Sequence, residues 1–430
     1  MPFSRRPVRR HTNNFPDETI RTAVEDDREQ MGKQRRIYLL GLSVFTAGSA
    51  FCGFSPTISS LIVSRMIQGL GASALMAIGP AILATSFPEK DRGQALGIIG
   101  SVVSAGFLTG PLLGGFLVEH LGWRSVFFIN LPIGAFGIFL SAKVLERQGR
   151  GGEVRLDLLG AFLFFSFITF LLVFLNRVGQ SSASFPWEWL FLSLLCLGFL
   201  IFVELRSPSP LVNLRLFRRR LFTSSLGASF LSFWMISAHA FVVPFFLQGI
   251  LKFSPSRVGM LVFPVSLTVL FMAPLGGRFS DRVGVKIPTT LGLIVCSLTI
   301  FSFIFLKEGV SDPQILWRQV FLGIGIGFFN PANNSAIIGS LSKEQIGLAS
   351  SFMALSRNLG LVIGVAFAEM VIAFSSPTHS SGTEGGPPLD GIQNVRRFAL
   401  FIGLAALFIS WGRWGRSGSP SRGDKGIADC

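Results

Sequence analysis

Gly277-Arg278-Phe279-Ser280-Asp281-Arg282-Val283-Gly284-Val285-Lys286 stands between two apolar runs, 257–276 and 287–306. Its three cations and one carboxylate do not belong in hydrocarbon. Each flanking run matches the roughly 20 residues that a helix needs to cross a bilayer. The stretch therefore reads as a short connection between two antiparallel spanning helices, with its glycines allowing the turn. Working outward, the same alternation continues along the whole chain. Twelve apolar stretches can be marked, at roughly 37–54, 60–86, 94–118, 123–142, 158–176, 187–205, 222–248, 257–276, 287–306, 315–339, 347–374 and 396–414.

Composition agrees with that reading. Of the 430 residues, 50% are hydrophobic and only 14% charged, with 45 Phe against one Tyr, where a soluble domain carries about 25% charged residues. Backbone amides in hydrocarbon must be satisfied within their own segment. The expected fold is therefore an all-α polytopic membrane protein, a two-lobe bundle with about twelve transmembrane helices.

The net charge of +15 would suggest a polyanionic partner in a soluble protein. Its placement gives a different answer. With the first span running outward, 28 of the 38 Lys and Arg fall in inner segments and 8 in outer ones, and Arg65 and Arg357 lie inside spans. By the positive-inside rule both termini are cytoplasmic in a multi-pass protein of the plasma (inner) membrane, the bilayer is the partner, and no nucleic acid is implied. Cys52, Cys196, Cys296 and Cys430 form no CxxC pair, so neither a disulfide nor a metal site is inferred. Asn333-Asn334-Ser335 matches a glycosylation sequon but falls near the inner end of the tenth span. The polar segment 1–36 reads as a disordered cytoplasmic lead rather than a signal peptide.

An internal repeat organises the chain. Gly69, Gly71, Gly93, Ala95, Gly106 and Gly110 recur 254 residues later as Gly323, Gly325, Gly347, Ala349, Gly360 and Gly364. That offset carries spans two and three onto ten and eleven, so spans one and four should correspond to nine and twelve. Spans five and six then read as an insertion, and spans seven and eight lack counterparts. The expected organisation is a polar segment at 1–36, an N-terminal lobe remnant of four helices at 37–142, two inserted helices with basic loops at 143–221, a six-helix C-terminal lobe at 222–414 and a tail at 415–430. On this expectation the N-terminal half lacks its first two helices.

The decapeptide from Gly277 to Lys286 resembles the G-x-x-x-D-R-x-G-x-K/R loop motif of the major facilitator superfamily. Gly277, Asp281, Arg282, Gly284 and Lys286 occupy its positions. Asp281 would accept from helix N-terminal amides and pair with Arg, an inner-gate latch that breaks as the lobes rock. Glu29-Gln30-Met31-Gly32-Lys33-Gln34-Arg35-Arg36 keeps only the tail of the same motif. Arg65, Gln68, Gly69 and Gly71 resemble the superfamily's R-x-x-Q-G-x-G-A motif, and an Arg inside a span calls for a polar cavity or a partner. Gly106, Gly110, Pro111, Gly114 and Gly115 match G-x-x-x-G-P-x-x-G-G, associated in this superfamily with exporters.

Trp123, Arg124, Asn130 and Pro132 lie in a stretch similar to W-R-x-x-F-x-I-N-x-P-x-G of the fourteen-helix drug:proton antiporters, and Arg357 to one in their penultimate helix. The resemblance implies an antiporter that exports amphiphilic, often cationic, small molecules by alternating access around a central cavity. It needs no cofactor beyond the proton gradient, performs no catalysis and works as a monomer. Proton coupling needs an ionisable group that alternates between wet and dry surroundings. Glu369 is the best placed candidate, with Glu119, Glu204 and His239 behind it. Two other readings stay open: a truncated remnant that does not transport, and a solute uptake carrier of the same fold.

Overall fold

The computed structural model describes residues 17–86, 106, 109–145, 158–180, 186–206, 214–307, 309–341, 346–375 and 389–412. All the regular elements among them are helical. Ten of these helices are long and apolar enough to cross a bilayer, by length and composition. The third apolar run falls largely outside the described residues. The tenth forms a helix of 28 residues that misses the apolar standard because Arg318, Gln319, Asn330, Asn333 and Asn334 dilute it.

By packing, the chain divides into two units, one of residues 1–100 with 122–155 and the other of 101–121 with 156–430. The first holds α1 (Asp17–Phe54), α2 (Ile58–Ser86), the short α4 (Ser125–Phe128) and α5 (Asn130–Val144). Helix α1 begins at Asp17, so the polar stretch expected to be disordered is helical from there. It is continuous with the span because nothing between Glu18 and Phe54 breaks a helix: no proline intervenes. Ser55 to Thr57 turn the chain into α2, where Thr57 Oγ1 accepts from the Ser60 amide at 3.2 Å and Ser60 Oγ from the Thr57 amide at 3.1 Å, a reciprocal cap.

The second unit holds α3 (109–121), α6 (Leu158–Gln180), α7 (Trp187–Arg206), α8 (Arg220–Pro244), α9 (Pro255–Val283), α10 (Lys286–Ile304), α11 (Asp312–Gly339), α12 (Ile346–Phe374) and α13 (Leu389–Gly412). After Pro244, α8 continues as a π-helical turn, Phe245–Ile250, which buries Phe246 and Leu247. Its core gathers Met235, Phe246, Ile300, Phe303, Ile315 and Ile392 from α8, this turn, α10, α11 and α13. In lipid there is little hydrophobic drive between helices, so close backbone approach carries the packing.

Glycine shows where that approach happens, and it makes the repeat physical. A Cβ on Gly71 would collide with the Phe45 amide and the Gly41 carbonyl of α1; one on Gly325 would meet Cys296 and, at 2.8 Å, the Gly292 carbonyl of α10. In both copies a pair of residues four apart receives the glycine, so α1 corresponds to α10, although Gly41 and Phe45 lie 251 residues before Gly292 and Cys296, three short of the 254 that separate the glycines. The other glycines are not treated alike. Gly323 fits against Val265 and Thr268 of α9, and Gly360 and Gly364 against Phe230 and Trp234 of α8, whereas their counterparts Gly69, Gly106 and Gly110 have, among the described residues, no atom within 4 Å of a Cβ position.

Candidate functional site

In the first unit, three residues singled out from sequence, Gln68, Arg65 and Asn130, share one polar cluster, and Arg124 is held beside it. Gln68 is buried on α2. Its Nε2 donates to Ser49 Oγ of α1 at 2.6 Å, and its Oε1 accepts from Arg65 Nη1 at 2.7 Å. Asn130 Nδ2, at the start of α5, donates to the same Ser49 hydroxyl at 3.4 Å. Arg124 Nη2 donates to the Ser55 carbonyl at 3.1 Å while its guanidinium stacks over Trp123, 4.4 Å from the ring centroid. Arg65 thus takes a neutral amide as partner and rests near the Phe127 ring at 5.5 Å. Uncharged acceptors hold both arginines, which is how a cation is kept at a membrane helix without a carboxylate. Pro132 falls in the first turn of α5, where a missing amide costs nothing.

In the second unit the exporter-type motif crosses α9. A Cβ on Gly115 would lie 2.5 Å from the Pro255 carbonyl, and a Cβ on Gly259 2.5 Å from the Pro111 carbonyl. The contact is reciprocal, glycine to carbonyl in each direction, and it brings the two backbones together. Past the end of the third apolar run, Glu119 Oε2 accepts from the Ser256 amide at 2.8 Å. That amide hydrogen bond holds the Glu119 carboxyl below the usual carboxylate range, and the site is the N-terminus of α9, where negative charge is favoured.

The Gly277 to Lys286 stretch is not a loop of ten residues. Helix α9 runs to Val283 and α10 begins at Lys286, so only Gly284 and Val285 connect them. Gly284 takes φ 81°, a left-handed conformation that suits glycine and explains its place in the motif. Gly277 and Arg282 lie on the last turns of α9, and Asp281 is exposed there with no hydrogen bond or ion pair among the described residues.

On α12, Ser356 Oγ donates to the Leu226 carbonyl of α8 at 2.9 Å, and Arg357 takes no partner among the described residues. Farther along the same helix Glu369 opens into a cleft of about 780 Å³ between α6 and α12. The carboxylate makes no hydrogen bond or ion pair among the described residues. Asn333, of the sequon, is buried and donates to the Ser225 carbonyl at 3.1 Å.

Sequence reasoning passed over Arg396, which it placed at the outer edge of the twelfth span. It is 0% exposed. Nη1 donates to the Phe303 carbonyl at 2.8 Å, the guanidinium lies 4.8 Å from the Phe246 ring, and Nε and Nη2 have no partner among the described residues. Phe303 also packs on His239, 4.5 Å between ring centroids, and both nitrogens of that buried imidazole are unpartnered among the described residues. A signal existed: Ile392, Val395, Ala399 and Ala406, all buried, mark the inner stripe of α13, and Arg396 falls on it. Glu204, on α7, is buried as well. Among the described residues no cluster of His, Cys, Asp or Glu is arranged to hold a metal.

The Major Facilitator Superfamily model matches residues 29–365 and 225–421. The riboflavin transporter RibZ of Clostridioides difficile is 33% identical over 345 residues, 79% of this chain and 74% of that protein. The multidrug resistance protein Stp of Mycobacterium tuberculosis is 32% identical over 343 residues, again 79% of this chain but 64% of Stp. The chain thus spans less than two thirds of Stp's length. Among solved structures, the peptide transporter POT superposes with a TM-score of 0.62 at 15% identity, covering 92% of this chain and 85% of POT, which speaks for the fold alone.

Proposed function

This chain belongs to the major facilitator superfamily, and on that footing we propose that it is a proton-coupled exporter of amphiphilic small molecules, of the fourteen-helix drug:proton antiporter kind. The observation that carries the reading is Glu369, a carboxylate within a membrane-spanning helix, open to a cleft and without a partner among the described residues. A group that gains and loses a proton in each cycle cannot be locked into a permanent ion pair. The exporter-type motif crossing α9 supports the outward direction, and relatives named as multidrug resistance proteins support the substrate class. No nucleotide-binding motif is present in the sequence, and the proton gradient supplies the energy.

In this reading the protein lies in the plasma membrane with both termini cytoplasmic and works as a monomer. The lobes are 37–142 and 222–414, with 143–221 inserted between them. Arg65 and Gln68 tune the cavity, and Asp281 latches the inner gate. The test is ethidium accumulation in energised cells producing the full chain, with and without a protonophore. Wild type is expected to lower accumulation, the protonophore to abolish that, and Glu369→Gln to lose it while still inserting. Efflux that survives the protonophore would overturn proton coupling; raised accumulation would reverse the direction.

A further inference from the structure

We propose that the cleft between α6 and α12 is a binding site for amphiphilic organic cations, an inference that rests on the export reading and gives its ligands a place. The cleft holds about 780 Å³, within the roughly 300–1,000 Å³ of sites for drug-sized ligands. Leu172 and Val173 of α6 and Leu361, Val362, Val365 and Ala366 of α12 form its apolar walls, and Asn176, Arg177 and Glu369 supply its polar groups. Val362 is exposed, so the cleft is open at the surface of its unit rather than closed within its core.

Charge selects the ligand. Glu369 and Arg177 line the same cleft, yet no ion pair joins them, and Glu369 has no other partner among the described residues. The two side chains also differ in what they can do about it. Arg177 is exposed one turn from the end of α6 (Leu158–Gln180), and a long side chain so placed reaches the interface by snorkelling. Glu369, five residues short of the end of α12, has too short a stem to follow. Its carboxylate, exposed in the cleft as well, is held there as a partner for a ligand cation. An aromatic or aliphatic body on the apolar walls with a cationic head at Glu369 satisfies both features. An anion would meet the carboxylate unshielded.

The two helices differ in origin. By the repeat, α12 has a counterpart in α3, whereas α6 belongs to the inserted pair and has none. Helix α6 packs on α7 and α12, so the cleft exists only because the insertion docks there. A site so built adds a binding surface to the lobe without altering the glycine contacts of α12 with α8, which lie on Gly360 and Gly364.

The test uses the full chain, purified into phospholipid nanodiscs, with photoreactive azidoethidium as the probe and fluorescein as an anionic control. Labelled peptides are mapped by mass spectrometry. Label is expected on 170–177 and 361–369, competed by unlabelled ethidium and not by fluorescein. Val173→Trp, which fills the cleft from the α6 wall, and Glu369→Gln are each expected to weaken ethidium binding at least tenfold, whereas Arg177→Gln, which removes a like charge, tightens it. Label elsewhere, competition by fluorescein, or no label at saturating dye because lipid keeps the cleft would overturn the site. Label in the cleft without protonophore-sensitive efflux would instead sink the export reading and leave the site standing, while such efflux with label elsewhere would do the reverse.

Discussion

Arg396 of α13 donates to the main-chain oxygen of Phe303, in the last turn of α10, at 2.8 Å. The last carbonyls of a helix lack intrahelical partners and carry partial negative charge. A guanidinium from a neighbouring helix therefore closes α10, and the rings of Phe246 and Phe303 cover it at 4.8 and 5.4 Å.

That arrangement separates two substitutions. Arg396→Ala leaves a cavity and an unpaired carbonyl and is expected to cost about 2–4 kcal/mol. Arg396→Met also loses the hydrogen bond, but it fills the volume and removes an uncompensated buried charge, so its cost should stay within about 1 kcal/mol. Thermal melts in detergent decide this: equal losses for the two variants would mean that the charge itself holds the helices.

Glycines five residues or fewer apart should respond in opposite ways. Gly69→Ala meets no atom within 4 Å among the described residues and removes a helix-interior glycine, which is worth about 0.5–1 kcal/mol of stability. Gly71→Ala drives a methyl into the Phe45 amide of α1 and should cost about 1–3 kcal/mol. Gly325→Ala should match Gly71→Ala, since Cys296 and Gly292 receive it in the same way. A Gly71→Ala protein as stable as wild type would refute the close α1–α2 contact.

The polar cluster of the first unit can be opened at its centre. Gln68→Leu strands Ser49 and Arg65 and is expected to destabilise by about 1–3 kcal/mol. Gln68→Glu keeps an acceptor for Arg65, and Ser49 can donate to it in turn, so it should retain most of the stability. If both variants melt alike, the hydrogen bonds to Gln68 are not what holds α1 to α2.

Glu119 introduces pH. Because its folded value is lowered, chiefly by the Ser256 amide, its contribution is full above the ordinary carboxylate range and disappears as pH falls through the lowered folded value. Hydrogen exchange corrected for intrinsic rate should show protection of the Ser256 amide falling with acid in wild type and staying flat and low in Glu119→Gln. A flat profile in wild type would contradict the contact.

Orientation is tested by reporter fusions. Those placed after Arg150 and after Arg219 should report cytoplasm, and those near Ser182 and Gly382 the outside, as the 28 to 8 division of basic residues implies. A cytoplasmic signal at Gly382 would break the twelve-span count.

Residue type and spacing alone determined that this is a helical membrane bundle, because hydrocarbon forbids unsatisfied amides and a 20-residue apolar run has few other uses. They also revealed the repeat, six small residues recurring at one offset, and they singled out Gln68, Arg65 and Asn130, which the structure links through hydrogen bonds to Gln68 and Ser49. Tertiary structure decided the rest. It made the ten-residue connection a two-residue turn at Gly284, because helix ends depend on where φ becomes positive. It buried Arg396 rather than Arg397, since a helix of 3.6 residues per turn gives adjacent residues different faces and only packing selects the inner one. It also opened Glu369 into a cleft with α6, which lies nearly two hundred residues earlier in the chain. A pairing of that kind has no local signal, because an apolar helix surface in lipid looks the same whether a lipid or another helix covers it.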